Sequence, residues 1–134
     1  MKSADLIGPA LDWAVRKIEG PEIKPRIAAT VSNAGKHFRI VDDVRYNDRG
    51  HEYFVYYSPS TSWSQGGPII EREKLMIEPL LVGGDWFGNW RSVGLSWEGR
   101  THADMTGPTP LIAAMRCYVA SKLGDEVDIP KELQ

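Results

Sequence analysis

The stretch that decides the fold is Thr106-Gly-Pro-Thr-Pro-Leu-Ile-Ala-Ala-Met-Arg-Cys-Tyr-Val-Ala-Ser-Lys-Leu-Gly124. The polar side chains within Leu111–Leu123 are those of Arg116, Ser121 and Lys122. Thr106-Gly-Pro-Thr-Pro110 is typical of a helix N-terminal boundary, with a threonine as cap candidate and a proline near the first turn, and Gly124 is typical of a helix end. A helix that is apolar on nearly every side is buried on nearly every side, so this stretch predicts a buried C-terminal helix.

Upstream of this helix, the chain begins with a second helix and continues into short strands. Apolar residues at helical spacing before Gly20-Pro21 predict a helix over residues 8–19, with Asp12 on its polar face. Strand-like runs bounded by turn residues then follow at Ile27–Val31, Phe38–Val41, Glu52–Tyr57, Leu75–Ile77, Leu80–Val82 and within Trp86–Trp97.

The segments between these runs complete the predicted architecture. Ser60–Pro68 is small, polar and rich in helix breakers, which predicts a loop, and Pro68 then opens a short helix through Glu73. Arg100–Asp104 is also predicted to be a loop. We therefore expect an α+β fold, a mostly antiparallel sheet with an N-terminal helix, a short central helix and the buried C-terminal helix packed on it.

Length and composition limit the class of protein. The chain has 134 residues, 42% of them hydrophobic and 25% charged, which predicts one soluble globular domain over residues 1–134. These values exclude a disordered protein, a collagen-like repeat and a small disulfide scaffold. A net charge of −2 disfavours a dedicated basic nucleic-acid binder, so nucleic acid is not an expected partner.

Cysteine, histidine and leader patterns add further limits. Cys117 is the single cysteine, and we interpret it as a small apolar residue inside a helix. The three histidines are isolated and lack metal-ligand spacing, so no metal or cofactor is predicted. The start has no signal-peptide pattern, and no window approaches the ~20 apolar residues of a membrane span, so we expect a cytoplasmic protein without a membrane partner.

Catalytic patterns are weak in this chain. Its serines occur without a G-x-S-x-G elbow or an S-x-x-K motif. Thr101, His102 and Asp104 are close in sequence, but a solvated loop explains them better than a catalytic triad. No catalytic residue is therefore assigned, and an enzymatic activity stays open.

Binding patterns are more informative. The backbone N–H groups of Gln65-Gly66-Gly67-Pro68 can form a nest for an anion, or the segment can be a tight strand-to-helix turn. Trp63 beside it can stack on a base or fill the core. The start of the C-terminal helix around Thr109 offers a second anion site or a plain cap. The aromatic run Tyr53–Tyr57 lacks interleaved Lys and Arg, which favours a core strand with one aromatic face over a base-stacking surface.

Arg116 is the residue in the sequence that most clearly requires a specific partner. A guanidinium in an apolar helix must find an acceptor, because an unpaired buried charge is very costly. That acceptor is either a buried carboxylate or peptide carbonyl of the protein itself, or a phosphate or carboxylate of a ligand.

Four segments together resemble the NinX-like family of small phage and prophage accessory proteins. These segments are Tyr57-Ser-Pro-Ser-Thr-Ser-Trp-Ser-Gln-Gly-Gly-Pro-Ile-Ile-Glu71, Gly107-Pro-Thr-Pro-Leu-Ile-Ala-Ala-Met-Arg116, Lys122-Leu-Gly124, and Leu11-Asp-Trp-Ala-Val15 through Gly20. The resemblance implies expression inside a bacterium and binding of a host component. One such activity is sequestration of a nucleotide immune signal, such as a cyclic ADP-ribose derivative or a cyclic oligonucleotide.

Three hypotheses follow from this resemblance and from the binding patterns. The first is sequestration of a nucleotide-type ligand without turnover, the second is binding of a host protein, and the third is nucleotide cleavage with His102 or Asp104 as acid or base. For the first, the candidate ligand-binding residues are Ser58, Ser60, Thr61, Trp63, Gln65, Gly66, Gly67, Thr109 and Arg116. A homo-oligomer is compatible with it, since sequestration sites often lie between subunits.

Overall fold

A computed structural model describes residues 1–22, 24–95 and 101–134. The elements are a 3₁₀ turn (Ser3–Asp5), α1 (Gly8–Glu19), β1 (Arg26–Ser32), β2 (Gly35–Tyr46), β3 (Glu52–Tyr57), α2 (Trp63–Glu73), β4 (Leu75–Val82), β5 (Asp85–Leu95), β6 (Thr101–Gly107), α3 (Pro110–Leu123) and a 3₁₀ turn (Lys131–Leu133). The predicted positions of Trp97 and Arg100 lie outside the described residues. No described helix has the length and apolar character that crossing a membrane requires.

The α+β class and its helices are confirmed, but the strands form two sheets where one was predicted. Each sheet has three antiparallel strands, in the orders β1-β2-β3 and β4-β5-β6. Hairpins close the two sheets at Ser32↔Gly35 and Val82↔Asp85. In the second hairpin, Gly83 and Gly84 both have positive φ, which two-residue hairpin turns favour.

The helix α3 is the centre of the core. Its buried residues are Leu111, Ile112, Ala113, Ala114, Met115, Cys117, Tyr118 and Val119. Thr109 caps the helix, because its hydroxyl accepts from the Ile112 N–H at 3.1 Å, and Gly124 ends it with a φ of 85°. The prediction of a buried C-terminal helix is confirmed, and so is the interpretation of Cys117 as a buried helical residue.

The first sheet joins this core through one face. Ile40 of β2 is buried in the core, and Ile27 of β1 and Tyr57 of β3 pack against it. On the opposite face, Arg39 lies 3.9 Å from the Tyr56 ring centroid and Arg26 lies 4.8 Å from that of Phe54. The strand β3 has no Lys or Arg of its own, so Arg26 of β1 and Arg39 of β2 supply the cations beside its aromatic rings.

The prediction that Pro68 opens the central helix is wrong. The helix α2 begins at Trp63, and Pro68 lies inside it. A proline at this position removes one hydrogen bond to the carbonyl four residues earlier, that of Ser64. Ser64 is exposed, so water can hydrate that carbonyl and the helix tolerates the proline.

Two further predictions in the second sheet are corrected. Pro79 does not interrupt the strand, since β4 runs through it with a register shift between Pro79 and Leu81. An edge strand tolerates proline because one side of it has no strand partner. The predicted loop before Met105 is instead β6, because Ala103 and Asp104 pair with β5.

Candidate functional site

Two motifs that are distant in sequence meet around one hollow of about 230 Å³. Its lining residues are Ser60, Thr61, Trp63, Thr109, Pro110, Leu111 and Ile112. Ser60 and Thr61 come from the turn between β3 and α2, Trp63 begins α2, and the others form the N-terminus of α3. Four of the predicted ligand-binding residues, Ser60, Thr61, Trp63 and Thr109, thus share one concave surface.

Hydrogen bonds within the chain shape the turn on one side of the hollow. The Ser58 carbonyl accepts from the N–H groups of Thr61 at 3.1 Å and Ser62 at 2.8 Å. The Gln65 side chain then joins α2 to the end of β3, because its Nε2 donates to the Tyr56 carbonyl at 3.0 Å and its Oε1 accepts from the Ser58 N–H at 2.6 Å. Both polar ends of Gln65 are therefore committed to the backbone.

Asp12 of α1 fixes the position of the same turn through a hydrogen bond. Its Oδ1 accepts from the Ser60 N–H at 2.9 Å, and both residues are buried. Burial raises the pKa of Asp12 to about 6, against the opposing effect of this hydrogen bond. Placing Asp12 on the polar face of α1 was therefore wrong, because its carboxylate supports the floor of the hollow.

The Ser60 hydroxyl is a buried polar group with an unusual environment. It lies near the Asp12 carboxylate, yet no described group forms a hydrogen bond of standard geometry with it. Ser60 is 1% exposed and lines the hollow. The hydroxyl oxygen is itself shielded from solvent, and its position beside Asp12 opposes the rise in the pKa of that carboxyl.

Trp63 forms the outer wall of the hollow. Its side chain is 56% exposed, so it does not fill the core. The next apolar residues of α2 do that, since Ile69 is buried and Ile70 packs against the core. An exposed indole beside a hollow offers a flat apolar surface for an aromatic or sugar ring.

Gly66 brings α2 onto its neighbours. A Cβ at this position would contact the Pro59 carbonyl and would lie 2.7 Å from Leu111 Cδ2. The Gly66 N–H donates to the Ser62 carbonyl at 2.8 Å within the first turn of α2. Neither alternative for Gln65–Pro68, an anion nest or a tight strand-to-helix turn, is correct, because these residues lie inside α2 and helix formation uses the backbone groups that a nest would offer.

Arg116 lies about two turns further along α3 and does not line this hollow. Its Nε donates to the Leu6 carbonyl at 2.7 Å and its Nη1 donates to the Thr106 carbonyl at 2.9 Å. Of the two acceptors that the sequence left open, the structure therefore supplies peptide carbonyls of the chain itself. Desolvation lowers the pKa of Arg116.

Asp104, one of the residues considered for catalysis, is held by an arginine. Asp104 accepts from Arg91 Nη2 at 2.6 Å and from Arg91 Nε at 2.9 Å, and these bonds lower its pKa. A carboxylate held in this way is a poor general acid at neutral pH. The His102 side chain lies outside what the structure describes. Within the described residues, no three His, Cys, Asp or Glu side chains form a cluster for a metal ion.

Sequence reasoning missed two parts of this site. Asp12 is buried together with its sequence neighbours Leu11 and Trp13. Helical spacing alone does not predict the burial of three consecutive residues, so only the fold reveals the position of Asp12. Pro110, Leu111 and Ile112 were assigned to helix initiation and core, but they also form one wall of the hollow.

Residues 2–122 match a family model described as Bacteriophage P22, NinX. No curated protein matches the chain at a significant level.

Proposed function

The chain belongs to the phage P22 NinX family, and on that premise we propose that it binds one end of a small nucleotide-type ligand in the hollow between α2 and α3, without turnover. A host immune signal such as a cyclic ADP-ribose derivative or a cyclic oligonucleotide is the proposed class. The host bacterial cytoplasm is the proposed location, and no cofactor is required.

The observation that carries this proposal is the meeting of Trp63 and the N-terminus of α3 in one hollow. Trp63 offers a half-exposed aromatic face, and the N-terminus of α3 offers the positive end of a helix dipole. These are complementary to a base and a phosphate, respectively. The side chains of Gln65 and Arg116 have structural partners, so we assign them to positioning and not to direct contact.

The size of the hollow defines what it holds. A volume of about 230 Å³ is below the roughly 300–1,000 Å³ of pockets that enclose a whole drug-sized ligand. We therefore propose that one ring or one phosphate of the ligand enters it and that the remainder lies along Trp63 or between subunits.

Native mass spectrometry with cyclic ADP-ribose and with cyclic di-AMP tests this proposal. We expect one of these probes to remain bound to the wild-type protein and to be released intact on denaturation. Trp63→Ala should abolish retention because it removes the stacking surface. Trp86→Ala is the matched control, since Trp86 has a similar exposure of 52% and lies at the end of the β4–β5 hairpin.

Two results would contradict the proposal. Absence of any retained probe across a panel of cyclic and linear nucleotides would exclude nucleotide sequestration. Release of a cleaved product would support the enzymatic alternative instead, and its loss on His102→Ala would assign that activity.

A second candidate function, binding of a host protein, is favoured by the end of the β4–β5 hairpin. Leu81, Val82, Trp86 and Phe87 are between 52% and 70% exposed within seven consecutive residues. Contiguous exposed apolar residues of this kind mark interaction surfaces. Phe87→Ser should then abolish a defined host-protein complex and leave nucleotide retention unchanged, whereas Trp63→Ala should do the reverse.

A further inference from the structure

The outer edge of β1 is open among the described residues. β1 is the first strand in the order β1-β2-β3, and β2 is the one described element that packs extensively against it. Alternate residues of an edge strand direct their N–H and C=O groups away from the sheet. Such an edge is a template for another strand, and proteins usually protect it.

The other three outer strands of the two sheets each carry a protecting feature. At the edge strand β3, Gln65 covers the Tyr56 carbonyl. At β4, Pro79 supplies no N–H and the register shifts beside it. At β6, Arg116 donates to the Thr106 carbonyl. Two residues singled out by the sequence thus protect strand edges.

β1 carries no comparable feature within the described residues. Its register with β2 is unbroken from Arg26↔Val41 to Ser32↔Gly35. After Arg26 the strand has no charge and no proline. Val31 is 81% exposed, the largest exposure among the large apolar side chains that the structure describes.

We propose that β1 pairs with β1 of a second copy of this chain, antiparallel and with Ala29 on the two-fold axis. The two three-stranded sheets then form one continuous sheet across the axis. This dimer does not depend on what the hollow binds.

The sequence of β1 is self-complementary in this register. Ala29 lies opposite the partner's Ala29, so small side chains meet on the axis. Ile27 lies opposite the partner's Val31, and apolar cross-strand pairs of this kind stabilise a sheet. Arg26, the one charged residue of the strand, lies opposite the partner's Ser32 and meets no like charge. A two-fold arrangement of this kind closes as a dimer and does not propagate.

Sedimentation equilibrium on the full chain tests the dimer. We expect a reversible dimer for the wild type and an increase in its Kd on the order of tenfold or more for Val31→Glu, which places a charge against the partner's Ile27. Within one copy Val31 lies opposite Lys36, so the glutamate is compatible with folding. Leu81→Glu is the matched control, since Leu81 is 58% exposed on the other hairpin, and it should leave the Kd unchanged.

A cysteine on the axis tests the register. Ala29→Cys should give a covalent dimer on mild oxidation, and Cys117 does not compete because it is buried. A monomer up to millimolar concentration overturns the proposal. A dimer that survives Val31→Glu, that Leu81→Glu dissociates, or that Ala29→Cys fails to cross-link overturns it as well.

Discussion

Asp12 is a carboxyl group buried beneath the turn that lines the hollow, and its titration is linked to folding. Burial raises its pKa from 3.8 to about 6 in the folded protein. The folded protein therefore binds this proton more tightly than the unfolded chain does, so the unfolding free energy falls as the pH rises from about 4 to about 6. The size of this contribution is about 3 kcal/mol.

Asp12→Asn should remove that fall, because the amide oxygen still accepts from the Ser60 N–H and does not ionise. Urea unfolding at pH values below and above the titration range measures it. We expect the variant to gain stability relative to the wild type by up to about 3 kcal/mol as the pH rises. Asp48→Asn, at an exposed turn residue, is the control. Parallel pH profiles for Asp12→Asn and the wild type would contradict this account.

Gly66 and Gly67 are adjacent in α2 but meet different surroundings. A Cβ on Gly66 would overlap the Pro59 carbonyl and crowd Leu111, whereas a Cβ on Gly67 has no atom within 4 Å. Gly66→Ala should lower the unfolding free energy by roughly 1–3 kcal/mol through overpacking. Gly67→Ala should raise it by up to about 1 kcal/mol through helix propensity. Chemical denaturation of the two variants compares them directly, and equal effects would refute the packing argument.

At the scale of elements, Arg116 joins three segments of the chain. From α3 it donates to the carbonyl of Leu6, just after the first 3₁₀ turn, and to that of Thr106 in β6. Arg116→Met keeps the apolar stem but leaves both carbonyls without this donor. The unfolding free energy should fall by about 1–3 kcal/mol, as measured by urea denaturation. Unchanged stability with lost nucleotide retention would instead assign Arg116 to the ligand.

Elements with local signals are predicted well from the sequence. The helix over 8–19 and the strand over Glu52–Tyr57 have the predicted bounds, because breakers or turn residues delimit both. The start of α2 at Trp63 and the strand β6 are not predicted, because long-range contacts decide them. The close approach of Gly66 to Pro59 and Leu111 accompanies the earlier start of α2, and pairing with β5 extends β6 into a predicted loop.

The residues of the candidate site likewise divide into those that local sequence signals predict and those that only long-range contacts place. The sequence identifies four residues of the hollow, because small polar and aromatic residues cluster at the boundaries of two helices. These residues are Ser60, Thr61, Trp63 and Thr109. That these boundaries adjoin, that Asp12 lies beneath them, and that Gln65 and Arg116 are already engaged all depend on tertiary packing. Helical periodicity assigns a residue to a side of a helix, but it does not say what packs there.

At the scale of the whole molecule, packing is concentrated on α3. This helix contacts α1, α2 and the second sheet, whereas the β1–β2 hairpin projects with residues 29–37 largely exposed. Amide hydrogen exchange should therefore be slowest in α3 and fastest at the end of the β1–β2 hairpin, because local opening there exposes little apolar surface. Mass spectrometry of exchanged peptides, at concentrations where the protein is monomeric, measures this order. Uniform exchange across the chain would show that the hairpin unfolds only with the core.

The central position of α3 has a consequence for synthesis on the ribosome. At about 5–20 residues per second, the residues that precede α3 take roughly 5 to 20 s to be made. By the end of that time the described part of the nascent chain includes the residues of α1, α2 and the strands β1 to β6, but not the helix that most of them pack against. The helix α3 can pack only after it has left the exit tunnel. The chain therefore completes its core only after α3 has emerged, and the interval before that is when chaperones have most of its apolar surface to bind.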